Sequence, residues 1–160
     1  MKKLVVFMLL AGSLSFAQQK FACIDPNRIL QESKSVKEKE EQLRSKVQEY
    51  QKQLDEINKR LEDLKRQIES KGISQKAREE KIKEYQQTEA KGMELQQKAQ
   101  RELIELKGKM EDELIAKVRN IAEDMAKKGG YTGILDCSAF VYRSAEVDLT
   151  QEVIKRLDQR

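Results

Sequence analysis

The segment LRSKVQEYQKQLDEINKRLEDLKRQI, residues 43–68, decides the fold of this chain of 160 residues. Its apolar residues recur in alternating steps of four and three, and the residues between them are charged or amide, apart from one serine. These apolar residues are Leu43, Val47, Tyr50, Leu54, Ile57, Leu61, Leu64 and Ile68. The spacing is the heptad pattern of a helix that buries one narrow seam against a partner helix. It predicts a first helical arm over residues 34–71, roughly 55 Å long.

The partner of this helix is predicted to be the next stretch of the same chain. Residues 70–75, SKGISQ, interrupt the pattern, with Gly72 suited to a helix C′ position and Ser74 to an N-cap. A loop this short returns the following helix antiparallel to the first, over residues 75–128. Its seam consists of Ile82, Tyr85, Ala99, Leu103, Leu106, Met110, Leu114, Val118, Ile121 and Met125.

The seam of the returning helix changes character along its length. From Ala99 onward its residues recur every eleven positions, which corresponds to about 3.67 residues per turn and a straighter path than a heptad. Around Gly92 part of the seam lacks large side chains. This segment is either a bendable middle of the arm or simply a solvated helix face.

The two chain ends have a different pattern from the arm. FACID reads as a short strand that ends at Pro26, and GILDC and AFVY read as two strands joined at Ser138. Asp148 or Thr150 is expected to cap a final helix. Residues 18–33 and 129–160 together hold about 50 residues, which is near the limit for an independent core. We therefore predict a mainly α protein, in which a long antiparallel helical hairpin (34–128, tip near 70–75) projects from a small strand-containing oligomerisation body.

The N-terminus has the composition of a secretory signal peptide over residues 1–17. Lys2 and Lys3 precede an apolar run, and a small-residue site ends at Ala17. A retained membrane anchor is the alternative, but the run is short for spanning a bilayer. Cleavage would place the mature chain in the periplasm and lower its formal net charge from +4 to +2.

Cys23 and Cys137 are the two cysteines of the chain. In an oxidising compartment such a pair can form a disulfide. Two small buried apolar residues are the other interpretation, and spacing alone does not decide between them.

The composition argues against several classes of function. The chain has no histidine, and it lacks the GxSxG, Walker A, GxGxxG and CxxC motifs, so we predict no enzyme, no catalytic residue, no cofactor and no metal site. Charged residues make up 38% of the chain, but the acids and bases are interspersed and the net charge is modest. Nucleic acid is therefore not an expected partner.

The hairpin tip is the most basic part of the sequence. Residues 65–83 contain seven bases against three acids. The seven bases are Lys65, Arg66, Lys71, Lys76, Arg78, Lys81 and Lys83. Such a tip would attract an anionic membrane surface or acidic chain segments. A tip that merely keeps the protein soluble is the alternative.

Both chain ends resemble those of the Skp (OmpH-like) periplasmic chaperone family. FACIDPNRILQESKSVKEKEEQL, residues 21–43, is similar to the family's first strand and the start of its long helix. GGYTGILDCSAFVYRSAEVDLTQEVIKRLDQ, residues 129–159, is similar to the family's C-terminal end with its "DLT…V" helix. The arms match only in length and pattern, and the two cysteines depart from the family's pattern.

The resemblance implies an ATP-independent holdase. Such a homotrimer would share one β body, surround a cavity with three arms and hold unfolded outer-membrane proteins there. Its trimer contacts would be Phe21, Ile24, Ile134, Leu135, Phe140, Val141 and Tyr142. Client contacts are expected from apolar residues off the seam, namely Ile73, Ala77, Met93 and Leu95.

Two other functions fit a helical hairpin. A passive envelope spacer or adaptor would bind one folded partner, but export adaptors of this kind need additional β domains, and about 50 residues are too few to build them. A peripheral protein that binds anionic lipid through the basic tip would bind vesicles in a salt-dependent manner without any client.

Overall fold

The computed structural model describes residues 19–159, and the predicted signal peptide lies outside these residues. The elements in chain order are β1 (Phe21–Ile24), α1 (Pro26–Glu32), α2 (Lys34–Glu69), α3 (Gln75–Gly129), β2 (Gly133–Asp136) and α4 (Thr150–Asp158). Short 3₁₀ turns span Cys137–Ala139 and Ala145–Val147. The predicted fold class, a long helical hairpin on a small strand-containing body, is confirmed. None of the helices within residues 19–159 has the length and apolar character needed to cross a membrane.

The hairpin arm is built from two helices of unequal length. Helix α2 has 36 residues and α3 has 55, which correspond to about 54 Å and 83 Å. The side chains of Ser33 and Ser74 cap their N-termini, and Gly130, with a φ of 66°, ends α3. The expected C′ role of Gly72 is wrong, because α2 already ends in an extended Ser70 and Gly130 has the only positive φ among the described residues.

The seam between α2 and α3 follows the heptad positions, except that Val47 remains 45% exposed. Tyr50 and Leu64 of α2 are buried, and so is Ala99 of α3. A Cβ atom at Gly92 would lie only 3.2 Å from Cγ2 of Ile57. The missing side chain at residue 92 therefore marks a close approach of two continuous helices.

The sheet joins the two ends of the chain. Strands β1 and β2 pair in parallel, with Cys23 opposite Leu135. Parallel strands need a long connection between them, and the whole arm provides it. On the other side of β1, the N–H of Leu149 donates to the carbonyl of Cys23 at 2.9 Å. Strand β1 is thus flanked on both sides, and β2 is an edge.

The second strand predicted in AFVY is absent from the described chain. Asp136 accepts a hydrogen bond from the N–H of Ser138 at 2.8 Å and turns the chain into the 3₁₀ segment. Residues 140–142 then continue without a strand partner. The free edge of β2 is therefore not used by these residues within the described chain.

The core of the body also includes the base of the arm. Its buried members are Ile24, Ile29, Val36, Met125, Val153, Ile154 and Leu157. Val36 and Met125 belong to the arm helices, so one chain builds a larger core than its two ends alone could provide. The sequence-based count of about 50 residues omitted this contribution.

Asp158, at the C-terminal end of α4, anchors the start of the arm. Its carboxylate accepts hydrogen bonds from the Ser33 hydroxyl at 2.7 Å and from the N–H groups of Ser35 and Lys34 at 2.9 and 3.0 Å. Burial by itself raises the pKa of Asp158, but these hydrogen bonds outweigh it and hold the pKa below its usual range. The stabilisation is therefore present above the unfolded pKa of about 3.9 and is lost as the pH falls through the folded pKa.

Asp158→Asn is expected to lower the free energy of unfolding by about 1–2 kcal/mol at pH 7, because the amide group cannot accept all three hydrogen bonds. The difference from the parent should shrink as the pH falls below 4. Urea unfolding followed by circular dichroism, at one chain concentration and a series of pH values, measures both effects. Asp112→Asn, on an exposed position of the arm, is the matched control and should change neither. Equal stability of Asp158→Asn and the parent at pH 7 would contradict the anchoring role.

Candidate functional site

The base of the arm carries the more apolar of the grooves on the described surface. It has a volume of about 550 Å³ and lies where α1, α3 and β2 meet. Leu30, Ile115 and Leu135 line it and are each about half exposed. Glu111 and Arg119 add charge to the lining. A groove of this composition suits apolar side chains of a bound chain.

A second groove of about 390 Å³ lies towards the tip, between α2 and α3. Ile68, Ile82 and Tyr85 contribute its apolar surface, and Lys65 and Glu89 contribute charge. Ile82 was predicted in the seam, but it remains 40% exposed. Apolar surface is therefore accessible at both ends of the arm.

The four predicted client-contact residues do not form one cluster. Ile73 and Ala77 are partly buried at the tip, and Leu95 is partly buried further along α3. Met93 is well exposed. Two further exposed apolar residues of α3, Ile104 and Ile115, were not among the predicted contacts. The recurrence of eleven noted in the seam would have found them, had it been followed from Met93.

Polar contacts hold α2 and α3 together near the base of the arm and further along it. The hydroxyl of Tyr50 donates a hydrogen bond to Glu102, and Lys39 pairs with Glu113 at 2.7 Å. The hydrogen bond between Tyr50 and Glu102 raises the pKa of Tyr50 and lowers the pKa of Glu102. Lys46 lies over the Tyr50 ring at 5.1 Å. The Tyr50–Glu102 and Lys39–Glu113 contacts join positions far apart in sequence and tie the two helices together.

The basic tip divides into paired and unpaired residues. Arg66 pairs with Asp63, Lys81 pairs with Glu84 at 3.0 Å, and Arg78 donates to the carbonyl of Ser70 at 3.3 Å. The remaining four form no ion pair within residues 19–159. They are Lys65, Lys71, Lys76 and Lys83. Their charge is therefore available to an anionic partner.

The predicted trimer contacts occupy different environments in one chain. Ile24 is only 8% exposed inside the chain's own core, which leaves it little surface for a partner chain. Ile134 and Phe140 are partly buried. The other four predicted contacts are exposed to solvent. They are Phe21, Leu135, Val141 and Tyr142.

Cys23 and Cys137 form a disulfide, with their Cα atoms 4.8 Å apart. Cys23 lies in β1, and Cys137 directly follows β2. Both side chains are buried, so the bond lies within the body and not on its surface. It links the two ends of the chain covalently at the root of the arm.

These features define a class of protein in which a helical-hairpin arm is rooted in a small body made from both chain ends. The family described as outer membrane protein (OmpH-like) matches residues 20–157. The chain therefore belongs to the OmpH-like family, and this membership supports a chaperone-type role.

Two proteins are similar to this chain over most of its length. An uncharacterized protein of Aquifex aeolicus (strain VF5) is 39% identical over 159 residues, which cover 99% of this chain and 98% of the relative. A crystal structure of a candidate outer membrane chaperone (OmpH-like) from Caulobacter crescentus CB15 matches with a TM-score of 0.76 and 18% identity. The match covers 89% of this chain and 85% of that chain, and it shows a shared fold.

Proposed function

We propose that this chain is an ATP-independent holdase of the periplasm that binds unfolded outer-membrane proteins and keeps them from aggregating. The observation that carries the proposal is a helical arm about 80 Å long with partly exposed apolar side chains near its tip, middle and base. Family membership supports the same role.

The proposed mechanism is binding without chemistry. Unfolded barrel strands expose alternating apolar residues and aggregate in water. An arm that offers many weak apolar contacts holds such a chain through their sum. Binding of the unfolded state lowers the concentration of free, aggregating chain by mass action, so no hydrolysis step is required.

Export and assembly are part of the proposal. Residues 1–17 would be removed as a signal peptide, as their charge, apolar run and small-residue site suggest. Residues 18–33 and 129–160 would form the trimerisation body, and residues 34–128 the arm. Exposed apolar residues on the body, including Val141 and Tyr142, support contacts with further copies of the chain. Three arms would then enclose a cavity.

The holdase activity is tested by diluting a urea-unfolded outer-membrane barrel protein into buffer with the purified mature chain, without ATP. We expect light scattering to be suppressed at close to one trimer per client, because each client chain needs one set of arms. Undiminished scattering in the presence of the folded chain would contradict a holdase role for this client class and favour a passive spacer.

A second role at the membrane is supported by the four unpaired lysines of the tip. They would attract anionic lipid at about 1 kcal/mol for each charge near the surface. Salt-sensitive binding to anionic vesicles without a client would support this role, and its absence would leave the tip as a solubilising surface.

A further inference from the structure

Helix α3 carries four exposed large apolar residues, and each lies eleven residues from the next. They are Ile82, Met93, Ile104 and Ile115, which we call the α3 stripe, with exposed fractions between 40% and 66%. The structure describes α3 along its whole length, and every exposed large apolar residue of this helix belongs to the stripe. Eleven residues complete three turns plus about 20° and advance about 16.5 Å. The stripe therefore follows one face of the helix for about 50 Å.

The stripe lies along one flank of the seam that packs on α2, and it begins at Ile82, which was assigned to the seam from the sequence but is 40% exposed. Ile104 follows the seam residue Leu103 and is rotated from it by about 100°. The opposite flank of the seam carries Gln87, Lys98 and Lys109 at the same spacing, and all three are exposed. The exposed apolar residues of α3 are therefore confined to one flank of the helix. If the helix surface simply tolerated apolar residues, they would be expected on both flanks.

The pattern of the stripe disfavours a folded partner. A helix packed in register would need an apolar residue every three or four positions, but Gln86, Gln97 and Gln100 lie between the stripe residues on this face. The four side chains together expose roughly 200–300 Å² of apolar area, whereas a stable dimer buries about 800 Å² per partner. An unfolded chain with scattered apolar side chains can meet such isolated positions one at a time.

The two ends of the stripe run into the two grooves of the arm. Ile115 lines the 550 Å³ groove at the base, and Ile82 lines the 390 Å³ groove near the tip. We propose that the α3 stripe is the line along which the arm binds an unfolded, apolar-containing polypeptide, with the grooves receiving side chains at either end. This assignment rests on the proposed holdase function and names the surface that performs it.

The α3 stripe is tested by replacing its residues with glutamine, which is polar, of similar length and compatible with a helix. Ile104→Gln should raise the Kd for a fluorescently labelled unfolded barrel protein about threefold, and the four-residue variant about 50- to 100-fold, because independent contacts multiply. Val47→Gln is the matched control: Val47 was assigned to the α2 seam from its spacing, but it is 45% exposed and lies outside the stripe, so the Kd should be unchanged. The circular dichroism spectra and thermal unfolding transitions of all three variants should match those of the parent chain.

Photo-crosslinking gives a second measurement that does not remove apolar surface. A photoreactive amino acid at position 104 should form adducts with the client, and the same amino acid at position 98, on the opposite flank, should not. An unchanged Kd for the four-residue variant would overturn the stripe while leaving the holdase function intact. Adducts at 104 between two copies of this chain, formed without a client, would also overturn it. Absence of client binding by the parent chain would refute the holdase function, and the stripe with it.

Discussion

Reduction of the Cys23–Cys137 disulfide is expected to lower the free energy of unfolding by about 4–5 kcal/mol. The two cysteines are 114 residues apart, so the oxidised unfolded chain is a nearly closed loop with much less conformational freedom than the reduced one. For a chain of this size, such a change corresponds to a fall in Tm of roughly 10–15 °C. Because the body that roots the arm is small, a loss of this size is a large fraction of its stability.

The two thiols are buried, so the comparison requires reduction in urea and refolding with reductant present. Urea unfolding of the oxidised and reduced chains, at one chain concentration, measures the difference in midpoint. Cys23→Ala/Cys137→Ala is the control, and its midpoint should not respond to reductant. Equal midpoints for the oxidised and reduced parent would show that the bond adds nothing to stability.

The arm was predictable from the sequence because its signals are local. The heptad steps of residues 43–68 require only that neighbouring turns share one face, and the cap at Ser74 depends on residues within one turn. The position of the hairpin tip follows from the same signals. Gly72 shows the limit, because which residue ends a helix depends on how the loop closes.

The body was less predictable because its contacts join the two ends of the chain. The pairing of β1 with β2 and the anchoring of Lys34 by Asp158 each span more than a hundred residues, and no local pattern encodes them. AFVY has the composition of a strand, but composition does not supply a sheet edge. The α3 stripe was missed for another reason: its eleven-residue spacing is present in the sequence, but its first residue, Ile82, had been assigned to the seam and its exposure is seen only in the structure.

Val141→Asp is expected to convert the proposed trimer into monomers. Val141 is fully exposed in the single chain, so the substitution should not disturb the monomer's own core. In a shared body the same position would become buried, and an unpaired carboxylate there costs about 3 kcal/mol or more per chain. That cost corresponds to a more than 100-fold weaker association. Phe140→Asp should have the same direction of effect, but Phe140 is partly buried and its loss can also destabilise the monomer.

Sedimentation equilibrium of the mature chain distinguishes these outcomes. The parent and Val141→Ile, which keeps the apolar surface, should sediment as trimers, while Val141→Asp should sediment as a monomer with the parent's helical circular dichroism. A trimeric Val141→Asp protein would place the interface away from residues 140–142, and a monomeric parent would refute the trimer itself. Client holding by a monomeric Val141→Asp chain should be much weaker, because a single arm loses the summed contacts of three.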